Sequence, residues 1–129
     1  MLNGTYEYVI GLDGTITLIC QQAIQVLLQQ GYDVIVDCCN NDQQRRWGWL
    51  GAAVFDRSVG KFAVVFPMKD KEWHIANALK SSKELSPEAW GRIYDLHVAQ
   101  YQPLQCDDYD EIWYVDENLE IRNRERGIK

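Results

Sequence analysis

The sequence predicts an α/β fold: a small, mostly parallel sheet flanked by helices, with room for a C-terminal β-hairpin. Two observations carry this. Three short apolar runs, at 34–36, 62–66 and 112–115, are separated by stretches of helical periodicity, and strands alternating with helices favour a parallel sheet covered by helices. A length of 129 residues suits one domain spanning the whole chain (1–129).

Each element has its own warrant. Residues 16–30 carry apolar side chains at 16, 19, 20, 23, 24, 27 and 28, the spacing of an amphipathic helix. Gln21, Gln22, Gln25 and Gln29 are expected on its other side, and Gly31 stops it as a C′ glycine. Thr15–Cys20 is β-branched and follows Asp13-Gly14, so a hairpin with Thr5–Ile10 is the alternative. Tyr32–Asp37 reads as a buried strand. Asn41 or Asp42 can cap a helix over Gln43–Val54. Gly48 and Gly51 weaken that helix, and Trp47–Phe55 reads equally as a strand. Asp56–Gly60 is a loop, and Lys61–Phe66 a second buried strand stopped by Pro67.

Asp70–Lys80 is a helix with Trp73, Ile75, Ala76 and Leu79 near helical spacing. Ser86-Pro87-Glu88 combines an N-cap Ser with Pro at the first helical position. That helix runs to about Gln100, with Ala89, Trp90, Ile93, Leu96 and His97 at compatible spacing, and Pro103 bars its continuation. Glu111–Val115 is a third strand, and Leu119–Arg122 returns as a short edge strand. The basic tail (123–129) is expected to fray.

Composition narrows the function classes. No apolar run approaches the roughly 18 residues of a membrane span, and residues 1–4 show no secretory pattern, so a cytoplasmic protein is expected. The four cysteines fit no C-x-x-C spacing and are expected reduced and mostly buried. A metal site would need Cys20, Cys38, Cys39, Cys106, His74 and His97 drawn from the whole chain, so none is expected. Net charge is −6, and residues 107–120 hold seven acids and no base. Such a run suits a solvated face, or a surface that meets a basic partner. It lacks the spacing and central glycine of a calcium loop.

The densest chemistry lies in GYDVIVDCCNNDQQRRW (31–47). A strand ending in Asp37, a loop with Asn40, and Arg45-Arg46 opening the next helix suit a metal-phosphate or substrate site, because ligands of open α/β sheets sit beyond the carboxyl ends of strands. Taken singly, Asp37 also suits a loop cap, Asn40 a turn, and the two arginines a solvated helix face. His74 and His97 fall in amphipathic helices and are expected partly buried. No phosphate loop of the form G-x-x-x-x-G-K-[ST] occurs in the sequence.

Four segments in order resemble the polynucleotide-kinase-like P-loop kinases, the group that includes phage-type 5′-hydroxyl polynucleotide kinases. LLQQGYDVIVDCCNNDQQRRW (27–47) is similar to that family's strand and following helix, with Asn40 at the Asn of its Asp…Thr-Asn strand end and Cys39 in place of the Thr. FAVVF (62–66) and its helix resemble the strand and lid, typically Arg-Asn-x-x-Arg. Asn77 and Lys80 match the second and last lid positions, and Ala76 replaces the first Arg. LSPEAWGRIYDLHVAQYQPL (85–104) resembles the helix after the lid, and YDEIWYVD (109–116) the last strand. The start, MLNGTYEYV, resembles the segment after the family's catalytic Asp.

The resemblance implies that the chain begins after the glycine-rich loop, its Lys and the general base. It implies a partial or degenerate polynucleotide or nucleoside kinase, inactive alone, that acts by binding a partner or nucleotide. Mg and ATP enter only if the missing half is supplied. The alternatives are a fragment or subunit of an active ATP-dependent kinase, and a small acidic inhibitor of a basic partner. Removing the central strand leaves Tyr32–Asp37 and Lys61–Phe66 with open edges. The gap is then filled by Thr5–Ile10, closed by direct pairing, or completed by a second copy or another protein. A nucleic-acid end or nucleotide is the expected small partner, and no membrane is expected.

Overall fold

The computed structural model describes residues 11–82 and 84–127. Among them are four α-helices and a three-stranded sheet: α1 (Asp13–Gln29), α2 (Gln43–Gly51), β1 (Phe62–Val65), α3 (Lys71–Ser81), α4 (Pro87–Gln100), β2 (Glu111–Val115) and β3 (Ile121–Arg126). The α/β class therefore holds. The chain falls into two compact units, Met1–Cys38 with Trp47–Val59, and Cys39–Arg46 with Gly60–Lys129.

In the first unit, α1 takes the helical alternative over Thr15–Cys20. Thr5–Ile10 lies outside the described residues. The helix ends in a Schellman motif: Gly31 N–H donates to Leu28 O at 3.0 Å and Tyr32 N–H to Leu27 O at 3.1 Å. Gly31 has φ 84°, a conformation that glycine adopts without strain. The faces of α1 differ from expectation. Gln21 and Gln25 are half-buried, whereas Ile16, Ile19, Val26 and Leu27 are exposed. A Cβ on Gly48 of α2 would stand 2.8 Å from the Gln21 amide nitrogen, so glutamine meets α2 there. Among the described residues of this unit the buried apolar ones are Ala52 and Ala53, just past α2.

Tyr32–Asp37 is not a buried strand. The segment is irregular, and Ile35 is 92% exposed. No strand lies among the described residues of its unit. An extended run that finds no ladder satisfies its backbone with water instead. Helix α2 is also shorter than expected, ending at Gly51.

The second unit holds the sheet, in the order β1-β2-β3. β1 pairs parallel with β2, Phe62 opposite Glu111 through Val65 opposite Tyr114. β2 pairs antiparallel with β3, with an irregularity at Tyr114/Val115. The sheet is thus mixed rather than mostly parallel, because β3 is a full strand closing the expected hairpin. Arg122–Arg126, expected partly in the frayed tail, is strand-paired along β2. β1 is not buried either. Phe62, Val64 and Phe66 on one face are exposed, while Ala63 and Val65 are half-buried. The core centres on Ile112, fully buried in β2, with Tyr109 beside it in sequence.

Caps place α3 and α4 where the sequence expects them. Asp70 accepts from Trp73 N–H at 2.7 Å, and Ser86 from Ala89 N–H at 3.1 Å, each satisfying an orphan donor of a first turn. Gly91 is buried, and a Cβ there would lie 3.1 Å from Cε of Lys71 and 3.5 Å from Cδ1 of Ile75. The missing side chain brings the two helices close, and Lys71 pairs with Asp95 at 2.7 Å.

Candidate functional site

The second unit carries a groove of about 670 Å³. Its floor is the carboxyl end of the parallel pair: Val65 and the following Phe66-Pro67-Met68 from β1, and Tyr114 and Val115 from β2. Helix α3 contributes His74 and Ala78. Helix α4 contributes Trp90, Ile93, Tyr94, His97 and Val98, and Tyr101 follows at its end. This is where open α/β sheets place ligands, and the volume lies within the roughly 300–1,000 Å³ of small-molecule sites. The α4 residues recur at i, i+3, i+4, i+7, i+8 and i+11, one helical stripe.

The walls are largely aromatic and locally ordered. The His74 ring lies 5.3 Å from that of Trp73, edge-on at 88°, and 5.2 Å from that of Tyr94. The Tyr94 hydroxyl donates to Lys69 O at 3.2 Å. At the floor, the Tyr114 hydroxyl donates to the Glu125 carboxylate at 3.2 Å, and the Cys106 thiol donates to the same oxygen at 3.0 Å. Burial first, then the Glu125 charge, raises the Tyr114 hydroxyl pKa. The Glu125 hydrogen bond first, then burial, raises that of Cys106. Both hold their protons near neutral pH, and Cys106 is a poor nucleophile. Trp90 carries a buried indole N–H with no hydrogen-bond partner among the described residues. An unmet buried donor is unfavourable by about 1–3 kcal/mol.

The expected site residues are distributed differently. Asp37 is exposed and belongs to the first unit, whereas Asn40, Arg45 and Arg46 belong to the second. Arg46 is only 6% exposed. Its guanidinium donates to the carbonyls of Asn40 (2.8 Å), Asn41 (3.1 Å), Gln102 (2.9 Å) and Pro103 (3.2 Å). It therefore ties the loop before α2 to the segment after α4. Gln102 strengthens the tie, since its N–H donates to Asn41 O at 2.8 Å and its side chain accepts from Gln43 N–H at 2.8 Å. Asn41, held this way, reaches the groove wall. The charge of Arg46 partly offsets the upward push of burial on the Tyr109 hydroxyl.

Arg45 is more open. It donates to Cys39 O at 3.2 Å, and Asp42 caps α2 by accepting from Arg45 N–H at 2.7 Å. Asn77 and Lys80 are exposed on α3 and are not among the groove-lining residues. The thiols differ from expectation in burial: Cys20, Cys38 and Cys39 are exposed and Cys106 is half-buried, and none of the four is in a disulfide. No group of three or more potential metal ligands occurs among the described residues. No described helix is long and apolar enough to cross a membrane.

Much of the acidic run is internally engaged. Asp110 accepts from Lys61 N–H at 2.7 Å. Glu111 accepts from the Trp113 indole at 2.6 Å and from Arg126 at 3.1 Å. Asp116 accepts from the backbone of Asn118 and Glu120 and pairs with Arg122. Glu117 pairs with Lys69. Sequence reasoning missed the groove, although the stripe from Trp90 to Tyr101 was its visible signal. Comparison with known protein families, curated proteins and solved structures finds no match.

Proposed function

We propose that this chain is a kinase-like nucleotide-binding protein that does not transfer phosphoryl groups alone, and that the aromatic groove of the second unit receives a nucleobase or nucleic-acid end. The groove's position beyond the carboxyl ends of β1 and β2, walled by α3 and α4, is the observation that carries the reading. Flat π faces bind bases by stacking, at about 1–3 kcal/mol per base. The resemblance of residues 27–116 to polynucleotide-kinase-like proteins points to the same ligand class. Phosphoryl transfer depends on positioning and electrostatics around the phosphates. The sequence has no G-x-x-x-x-G-K-[ST] loop to supply them.

The test is a titration of the purified chain with adenosine monophosphate, read by tryptophan fluorescence and calorimetry, beside a labelled-phosphate transfer assay with Mg-ATP and a 5′-hydroxyl oligonucleotide. Binding with a Kd below about 1 mM, weakened at least tenfold by His97→Ala or Tyr101→Ala, is the expected result, with no transfer. Absence of binding rejects the groove assignment. Transfer abolished by Asp37→Ala or Lys80→Ala replaces the inactive reading with that of an active kinase.

The acidic-inhibitor reading is less favoured, because Asp110, Glu111, Asp116 and Glu117 already serve partners within the unit. A catalytic subunit completed from outside finds support in one feature. β1 is an edge strand among the described residues, with β2 as its only ladder neighbour. An open parallel edge is a ready template for a further strand.

A further inference from the structure

The face of the sheet turned away from the groove is built from two registered rows. Pairing sets Phe62 opposite Glu111 and Glu111 opposite Arg126, then Val64 opposite Trp113 and Trp113 opposite Arg124. Side chains alternate along a strand, so these six share one face, while Val65 and Tyr114 line the groove on the other. Each row runs from an apolar side chain on β1 to an arginine on β3. Phe62 is 58% exposed and Val64 46%, and both arginines are exposed. The rows are held together. The Trp113 ring lies 6.0 Å from that of Phe62, tilted by 52°, and the Arg124 guanidinium stands over it at 5.5 Å. Glu111 accepts from the Trp113 indole and from Nε of Arg126. That carboxylate is withdrawn, its side chain 15% exposed, whereas the side chain of Arg126 is 81% exposed. The face therefore presents flat planes and guanidinium edges, with the balancing charge beneath them. Farther along, Arg122 already pairs with Asp116 and Glu120, so the basic edge consists of Arg124 and Arg126.

We propose that this face binds single-stranded nucleic acid, with bases laid toward β1 and the sugar-phosphate chain along β3. Aromatic rings and guanidinium planes both stack nucleobases. Here they are the Phe62 ring and the Arg124 guanidinium held over Trp113. Guanidinium edges match phosphate oxygens. Arg124 and Arg126 stand two residues apart on β3, about 7 Å at the rise of a strand, so two phosphates can be held at once. An acidic peptide would meet the same arginines but brings no flat rings for Phe62. A duplex keeps its base faces inside its own stack, so it would use the arginines alone. The attraction is local. The chain's net charge is −6, but exposed charges more than about 10 Å away are largely screened at 0.1 M salt. The face lies across the sheet from the groove and stands on separate observations.

The experiment is fluorescence anisotropy of a labelled, mixed-sequence DNA strand of about 12 nucleotides, titrated with the full chain. A Kd below about 100 µM in 50 mM salt is expected. Two phosphate contacts give a salt slope of about −1.4 on logarithmic axes, a loss of about sevenfold between 50 and 200 mM salt. Arg124→Gln and Arg126→Gln should each halve that slope. Arg92→Gln, exposed on α4, should leave Kd within about twofold of wild type. Phe62→Ala should weaken binding about tenfold, and Phe62→Tyr, which keeps a ring, by less than about threefold. The duplex of the same sequence should bind at least about tenfold more weakly than the single strand. Adenosine monophosphate, the probe of the groove, should not displace the strand. Phe62 and Arg124 are exposed, so the fold should survive these changes, and circular dichroism checks it. The salt and duplex comparisons use the wild-type chain and decide the matter even where a variant fails to fold. No binding at about 200 µM chain, a duplex bound as tightly as the strand, or equal losses from Arg92→Gln and Arg124→Gln overturn the proposal. Displacement by adenosine monophosphate assigns the strand to the groove, and equal competition by polyglutamate assigns the face to acidic peptides; either overturns it too.

Discussion

Arg46→Met tests whether one buried guanidinium organises the groove's approach. The wild-type side chain donates to four carbonyls at 2.8–3.2 Å. Hydrogen bonds from a charged donor contribute about 1.5–3 kcal/mol each, so four taken singly would sum to more than any one residue supplies. Burying the charge opposes them by several kcal/mol, and bonds sharing one group are not additive. Removal leaves four carbonyls without this donor, while the bond from Gln102 N–H to Asn41 O remains. A loss of about 1–3 kcal/mol follows, the scale for leaving buried polar groups unmet. Arg46→Lys keeps the charge but not the fork, and should lose less than Arg46→Met while remaining clearly below wild type. Arg45→Ala, on a side chain 55% exposed, should stay within about 0.5 kcal/mol. Urea unfolding followed by far-ultraviolet circular dichroism and tryptophan fluorescence gives all three values. Arg46→Met within about 0.5 kcal/mol of wild type would refute the reasoning.

Two further predictions concern titration and thiols. Hydrogen bonding from the Trp113 indole, then pairing with Arg126, lowers the Glu111 pKa against the opposing push of burial, and the Glu120 N–H heads the causes that lower Asp116. Lowered carboxylates contribute stability above their unfolded range, near pH 4, and lose it as pH falls through the folded values. The melting temperature should therefore fall from pH 5 towards pH 2.5. Asp116→Asn should flatten part of that fall, and an unchanged pH slope would contradict the assignment. In a thiol titration of the folded chain, the exposed Cys20, Cys38 and Cys39 should react quickly and Cys106 at least about tenfold more slowly. Glu125→Gln should speed Cys106, and four thiols should appear in denaturant. Two would indicate a disulfide.

Local signals proved sufficient where the determinant is local. Asp70 and Ser86 cap their helices from side chains three residues away, and Gly31 closes α1 through its own backbone freedom. The sequence therefore sets α3, α4 and the end of α1, and the apolar run 111–115 sets β2, whereas Thr15–Cys20 and Trp47–Phe55 read as helix or strand alike. The candidate site was legible only in part, because Arg45 and Arg46 look alike in the chain. What separates them is Gln102 and Pro103, more than fifty residues away, whose carbonyls claim Arg46 alone. The groove needed the same distant information: its α4 stripe reads as a core face until β1 and β2 end beneath it. Tyr32–Asp37 shows the limit most clearly. Its composition is that of a buried strand, yet a strand exists only where another backbone offers a ladder. By itself the sequence determined the caps of α3 and α4, the stop of α1 at Gly31 and the α/β class, since propensity and capping act within a few residues. Tertiary structure decided which apolar runs became strands, which arginine was buried and which face of α1 stayed open, because these depend on partners that the chain brings together only on folding.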